Sequence, residues 1–230
     1  MDKYIVIVAG GRGSRMGSDI PKQFLTLCHK PILMHTIERL ATAEPQARLI
    51  VVLPGNQCAE WHKLCQKHSF HLSHVVVEGG CDRFHSVLNA LRHVPDGVLV
   101  AIHDGVRPLV SEIVVHEAFV TAERCGAAIP VMPVTESLRE ICSDKLSHAV
   151  ERSRFRCVQT PQTFASTLLK KAYELPYRPE FTDDASVYEA AGHEVTLIDG
   201  NRENIKITFR QDLLLAEILL SDTSQHDAFA

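Results

Sequence analysis

Directly behind the apolar run Tyr4-Ile5-Val6-Ile7-Val8 the chain turns into "VAGGRGSRMG", residues 8–17. Glycine loses more backbone freedom on folding than any other residue, so a loop this rich in it is costly to order unless it holds something. Arg12 and Arg15 sit inside the loop, and Lys22 follows shortly after it. Clustered backbone N–H groups, forked guanidinium donors and an ammonium point charge together make a phosphate cradle. Two common phosphate loops can be tested by counting. A dinucleotide fingerprint G-x-G-x-x-G starting at Gly11 and Gly13 requires a third glycine where Met16 stands. A P-loop requires G-x-x-x-x-G-K-S/T, and no such stretch exists. What remains is a strand, a glycine loop and three cations, placed at the carboxyl edge where ligands bind in α/β sheets. Against a plain glycine turn with solvated arginines, the three cations favour an anion site.

A second chemical candidate is Asp104, which ends the apolar stretch "GVLVAIHD". A carboxylate at the carboxyl edge of a buried strand suits magnesium, which keeps most of its shell as water and phosphate oxygens and needs one or two protein carboxylates. A turn cap is the other reading. His103 beside it is expected to be packed or hydrogen-bonded rather than a ligand. In "EGGCDRFHS", residues 78–86, Gly79-Gly80 lets backbone come close to a flat ring. Arg83 can serve such a ring or bridge loops as a helix-start residue.

The bulk properties restrict the alternatives. Of 230 residues, 45% are hydrophobic and 23% charged, which is the balance of a globular protein. The net charge of −4 means that cations gripping an anion must be a local cluster, and it argues against a nucleic-acid surface. The seven cysteines show no C-x-x-C spacing, so zinc and disulfide frameworks are not expected. Neither a membrane span nor a signal-peptide pattern is present, and the expected location is cytoplasmic with reduced thiols.

Positioning these residues requires a sheet. Short apolar runs (4–9, 49–54, 74–78, 97–103 and 127–131) alternate with helical patterns (32–43, 58–68, 83–94 and 112–125). That alternation predicts an α/β domain, a mostly parallel sheet with helices on both faces. Pro31 suits a first helical position, and Ser111-Glu112 reads as a cap with an acid in the first turn. Residues 133–155 are polar and charged, with a turn expected at Ser143-Asp144, and they read as an inserted arm. The pattern resumes at 167–173, 183–191, 194–198 and 205–208, and a final helix is expected over Asp212–Ser221. One domain over 1–221 with a frayed tail at 222–230 is expected.

The loop, followed by "PKQFLTLCHKPILMHTIERL", resembles the signature of sugar-phosphate nucleotidyltransferases, and within them the 2-C-methyl-D-erythritol 4-phosphate cytidylyltransferase family. The resemblance runs from residue 4 to about 220. It includes "EGGCDRFHSV", "HDGVRP", "VQTPQTF", "FTDDASVYEAAG" and "GNRENIKIT". It implies a Rossmann-like twisted sheet and transfer of CMP from CTP to methylerythritol 4-phosphate with Mg²⁺, in a homodimer that exchanges arms. Ribitol-5-phosphate cytidylyltransferases share several of these stretches and form the nearest alternative. A nucleotide-binding sensor without turnover is a third reading, disfavoured because Arg15, Lys22, Asp104 and Lys206 are all present.

By resemblance, Arg15, Lys22 and Lys206 bind the triphosphate and stabilise the five-coordinate α-phosphorus. On residue type alone Lys206 would be an edge-strand lysine. The loop residues Ala9, Gly10, Gly11, Arg12 and Gly13 would line the nucleotide. Gly80, the backbone at Cys81, Arg83 and Ser86 would surround cytosine, although the family often has an acid where Cys81 stands. Asp104 would hold the metal. Arg107 and Thr182 would hold the acceptor, with a helix N-terminus after Thr182 offering N–H groups to its phosphate. Ser137 and Arg152 would reach the acceptor from the partner subunit.

Overall fold

The structure, a computed structural model, describes residues 1–10 and 20–226, with side chains described as far as Ser221. Gly11, Arg12, Gly13 and Arg15 therefore lie outside the described residues.

The chain opens with β1 (Lys3–Val8), a short ribbon of β2 (Thr26–Leu27) and β3 (Lys30–Pro31), and α1 (Ile32–Ala43). Then come β4 (Arg48–Leu53), α2 (Gly55–Lys67), β5 (Val75–Glu78), α3 (Arg83–Leu91), β6 (Leu99–Asp104), α4 (Glu112–Cys125) and β7 (Ala127–Pro133). A hairpin of β8 (Arg139–Ser143) and β9 (Leu146–Ala149) precedes β10 (Arg156–Val158), β11 (Gln162–Ala165), α5 (Ser166–Ala172), α6 (Asp184–Ala190), β12 (Thr196–Asp199) and α7 (Arg210–His226).

The main sheet runs β10-β7-β11-β6-β1-β4-β5, with β12 also on β7. Strands β6, β1, β4 and β5 pair in parallel. Strands β10 and β11 pair antiparallel with β7, and β12 pairs parallel with it. The chain goes from β1 outward to β4 and β5, then crosses back to place β6 on the other side of β1. The order therefore reverses at β1, and a crevice opens there at the carboxyl ends of the strands. Both faces of this parallel block are covered, which is why its strands read as continuous apolar runs. Val6, Ile50, Val52, Val100 and Ile102 share one buried cluster with Phe84, Val87 and Leu91 of α3. Ile5, Ile7, Val51 and Ala101 share the other with Leu33 and Ile37 of α1, Trp61 of α2 and Phe119 of α4. Each fully buried large apolar side chain contributes roughly 1.5–3 kcal/mol relative to exposure, so this double burial stabilises the crevice floor.

Local signals mostly hold. Ser111 Oγ accepts from Val114 N at 3.2 Å and Glu112 sits in the first turn of α4. That helix ends on Gly126 at φ 90°, a conformation that side chains resist. Pro31 is the cap of α1 rather than its first residue. Three expectations change. Residues 205–208 are not a strand: Ile207 is buried and its N–H donates to Val106 O at 2.9 Å, but no ladder forms. The arm turns one residue later, between Ser143 and Leu146. The last helix begins at Arg210 and runs past Ser221 to His226, into the expected tail. Among the described residues, no helix is long and apolar enough to cross a membrane.

Candidate active site

The crevice at β1 holds two adjoining hollows. The first is lined by Val8, Ala9 and Gly10 at the end of β1, by Lys22 and Gln23, by Gly80, Cys81, Asp82, Arg83 and Ser86 around the start of α3, and by Asp104, Val106 and Lys206. The second is lined by Arg83, Asp104, Arg107, Val158, Gln159, Thr160, Gln162, Thr182, Asp183 and Lys206. Arg83, Asp104 and Lys206 belong to both, so they form the wall between them.

Asp104 anchors that wall. It is the last residue of β6, and its backbone N–H donates to Thr160 Oγ1 at 3.1 Å. Lys206 Nζ and Arg107 Nε each lie 3.1 Å from its Oδ2. Burial disfavours the carboxylate's charge, but the positive charges of Lys206, Arg83 and Arg107 overcome that and hold Asp104 well below the usual carboxylate range. Asp104 is therefore ionised at neutral pH, and its side chain is not a turn cap. Lys206 reaches the wall from the irregular segment 205–208, so the edge-strand reading falls with the strand. His103 is fully buried, with Thr160 Oγ1 and Arg107 O each 3.1 Å from its ring nitrogens. Burial lowers its pKa to about 4, leaving it neutral and structural, as expected.

Arg83 turns out to bridge. Its guanidinium donates to Asp184 Oδ2, tying the start of α3 to the start of α6, while it still lines both hollows. Asp184 is completely buried and also accepts from Tyr173 OH at 2.6 Å. Burial acts against the charge of Arg83, but Asp184 raises its pKa and keeps it cationic.

Gly80 lines the first hollow, and Gly79 and Gly80 also lie close against the chain's own helix. A Cβ added at Gly80 would sit 2.3 Å from His85 Cβ, so what comes close is the chain's own helix. Gly80 N donates to Ser86 Oγ at 3.1 Å, and Ser86 Oγ donates to Asp82 O at 2.7 Å. Cys81 is exposed at the rim.

The second hollow corrects one expectation. The N-terminal N–H groups of α6 are not offered to an anion. Asp184 N and Ala185 N donate to Gln162 Oε1 at 3.0 and 2.9 Å, and Ser186 N donates to the Asp183 carboxylate. Thr182 and Arg107 do line this hollow, but the helix of seven residues behind them is already capped. Gln162, Asp184 and Asn204 are framework residues that sequence reasoning did not single out. Asn204 Nδ2 donates to Thr160 O at 2.8 Å, and Asn204 O accepts from Arg107 Nη1 at 2.8 Å. All three stand inside "VQTPQTF", "TDDAS" and "GNRENIKIT", so the motifs flagged the segments without revealing the roles. Ser137 and Arg152 line neither hollow in a single chain. Arg152 is exposed beside the hairpin, and its guanidinium donates to Thr135 O.

Two joined hollows and a cation-ringed carboxylate lie at the switch point of the sheet, where α/β folds bind their ligands. The family model described as "IspD: 2-C-methyl-D-erythritol 4-phosphate cytidylyltransferase" matches residues 4–222. This chain belongs to that family. A 2-C-methyl-D-erythritol 4-phosphate cytidylyltransferase of Porphyromonas gingivalis is 55% identical, with the match covering 95% of this chain and 98% of the relative. One from Bacteroides thetaiotaomicron is 49% identical over 96% of this chain and all of the relative. The crystal structure of the Thermus thermophilus protein of that name superposes with a TM-score of 0.77 at 33% identity, covering 95% of this chain and 98% of that one.

Proposed function

We propose that this chain transfers CMP from CTP to 2-C-methyl-D-erythritol 4-phosphate, giving 4-diphosphocytidyl-2-C-methyl-D-erythritol and pyrophosphate. Its family membership makes it a cytidylyltransferase of the non-mevalonate isoprenoid route. The observation that carries the residue-level reading is the shared wall. A triphosphate in the first hollow would have its innermost phosphorus beside Lys206 and Asp104, within reach of an anion in the second. The acceptor phosphate has a second pKa near ~6 and is already a nucleophile at neutral pH, so no general base is needed. Its oxygen bonds to the α-phosphorus as the bond to the bridging oxygen of pyrophosphate breaks, in line. The obstacle is repulsion: two unit charges about 4 Å apart oppose each other by roughly 4 kcal/mol at an effective dielectric of 20. Lys22, Lys206 and Arg15 would offset that repulsion and the charge that develops in the transition state. Ala9, Gly10, Gly11, Arg12 and Gly13 would cradle the phosphates. Gly80, the backbone at Cys81, Arg83 and Ser86 would bound the nucleoside. Arg107 and Thr182 would grip the acceptor.

Asp104 fits a magnesium ion: it is an ionised, hard oxygen donor lining both hollows, and one protein carboxylate is enough for that metal. Bound there, magnesium would supply charge neutralisation on the triphosphate. Turnover of CTP with the two acceptors tests the substrate assignment. Methylerythritol 4-phosphate is expected to be strongly preferred, and preferential use of ribitol 5-phosphate would end it.

The proposed homodimer rests on the arm. The hairpin exposes Ile141 and Leu146, and nearby Phe155 and Val158 are also exposed, apolar surface that a partner subunit would cover. Arm exchange would bring Ser137 and Arg152 of the partner subunit to the acceptor. Mixing inactive Lys206→Ala with inactive Arg152→Ala chains is then expected to restore about a quarter of wild-type activity, because half of the dimers are mixed and one site in each is complete. No recovery after verified subunit exchange would show that Arg152 acts within its own chain or not at all.

A further inference from the structure

We infer that Cys81, Asp82 and His85 form a transition-metal site of the zinc class at the rim of the first hollow, separate from the position at Asp104. One ligand atom from each lies within 4.8 Å of the others. Cys81 Sγ is 3.4 Å from His85 Nδ1 and 3.5 Å from Asp82 Oδ2, and His85 Nδ1 is 2.9 Å from Asp82 Oδ2. Tetrahedral zinc, with its usual bond lengths, sets sulfur about 3.6 Å from a nitrogen or oxygen ligand and nitrogen about 3.4 Å from oxygen. The triangle is therefore close to the metal-bound size, and opening the His85–Asp82 edge by about half an ångström completes it.

The local sequence builds this triangle rigidly. Asp82 is the cap of α3, with Cys81 before it and His85 in the first turn, so the three side chains converge on one side of the helix start. Asp82 Oδ1 accepts from His85 N at 2.9 Å, both carboxylate oxygens lie 2.9 Å from His85 Nδ1, and Oδ2 also meets the sulfur. The imidazole is held against Phe84 and Tyr177, with ring centroids 5.3 and 5.6 Å away. Gly80 backs onto His85 with no room for a side chain between them.

The donor set decides the ion. A thiolate, an imidazole and a carboxylate suit zinc or cobalt, whereas magnesium seeks oxygen alone. On binding, the thiol releases its proton to solvent, His85 coordinates through Nδ1 and keeps its proton on Nε2, and water fills the fourth position. Three protein ligands with an open position is the pattern of a reactive or regulatory zinc site rather than a purely structural one.

Titrating Co²⁺ into the full chain in excess Mg²⁺ is expected to produce a sulfur-to-cobalt charge-transfer band that saturates at one equivalent and is displaced by Zn²⁺. Cys81→Ser should remove the band. His85→Asn should weaken Zn²⁺ binding about tenfold or more, with circular dichroism and basal turnover unchanged. A band that survives in Cys81→Ser, or His85→Asn binding Zn²⁺ as tightly as the parent, overturns the proposal. Because the readout is spectroscopic, it is independent of whether the acceptor assignment stands.

Discussion

Lys206→Ala is expected to lower turnover by about 10²–10³-fold while the protein still folds and binds CTP, because a cation aimed at developing charge contributes most in the transition state. The fold should tolerate the change. Lys206 is nearly half exposed and comes from an irregular segment, so its loss costs no more than about 1 kcal/mol of stability. Asp104 keeps Arg107 at 3.1 Å as a partner. Lys22→Ala should move the rate in the same direction. Single-turnover kinetics beside a CTP dissociation constant and a thermal melt check the split. A rate within a few-fold of wild type would remove Lys206 from the role given to it.

The second large effect is on the fold. Asp184→Ala is expected to destabilise the protein by about 3–5 kcal/mol, because it strands a partly buried guanidinium and a buried tyrosine hydroxyl without their acceptor. Arg83 and Tyr173 both bond to this one carboxylate, which is completely buried. Losing it also frees Arg83, which lines both hollows, so activity should fall below what the loss of folded protein explains. Urea unfolding of the variant measures the first effect. The double variant Arg83→Met/Asp184→Ala should recover part of the stability without the activity. A single variant as stable as wild type would mean that water replaces the carboxylate.

The parts of this site that sequence revealed share one property: each is announced within a short distance of a strand end. Asp104 closes an apolar run, and Gly10 and Lys22 follow another, so the crevice could be read before the sheet was seen. The parts it hid depend on pairs far apart in the chain. Arg83 and Asp184 are joined by one ion pair between the starts of α3 and α6, and nothing local in either segment names its partner. Strands β10 and β11 escaped for a different reason. "RCV" and "QTFA" are too short and too polar to show a run, and their place is set by free edges on β6 and β7. The reverse error occurred at Ile205–Thr208, where the alternation I-K-I-T has the period of a strand. There, burial of Ile207 and the reach of Lys206 toward Asp104 account for the same pattern without a ladder. The N-terminus of α6 misled because a helix start looks anion-ready in sequence, whereas Gln162 and Asp183 already occupy its N–H groups.

The most direct test is a crystal structure with CTP and Mg²⁺ bound. The triphosphate is expected to lie along Gly10, Lys22 and Lys206, with the α-phosphorus beside Asp104 and facing the hollow of Arg107 and Thr182. A nucleotide whose α-phosphorus faces away from that second hollow, or Lys22 and Lys206 directed at separate surfaces, would contradict the account.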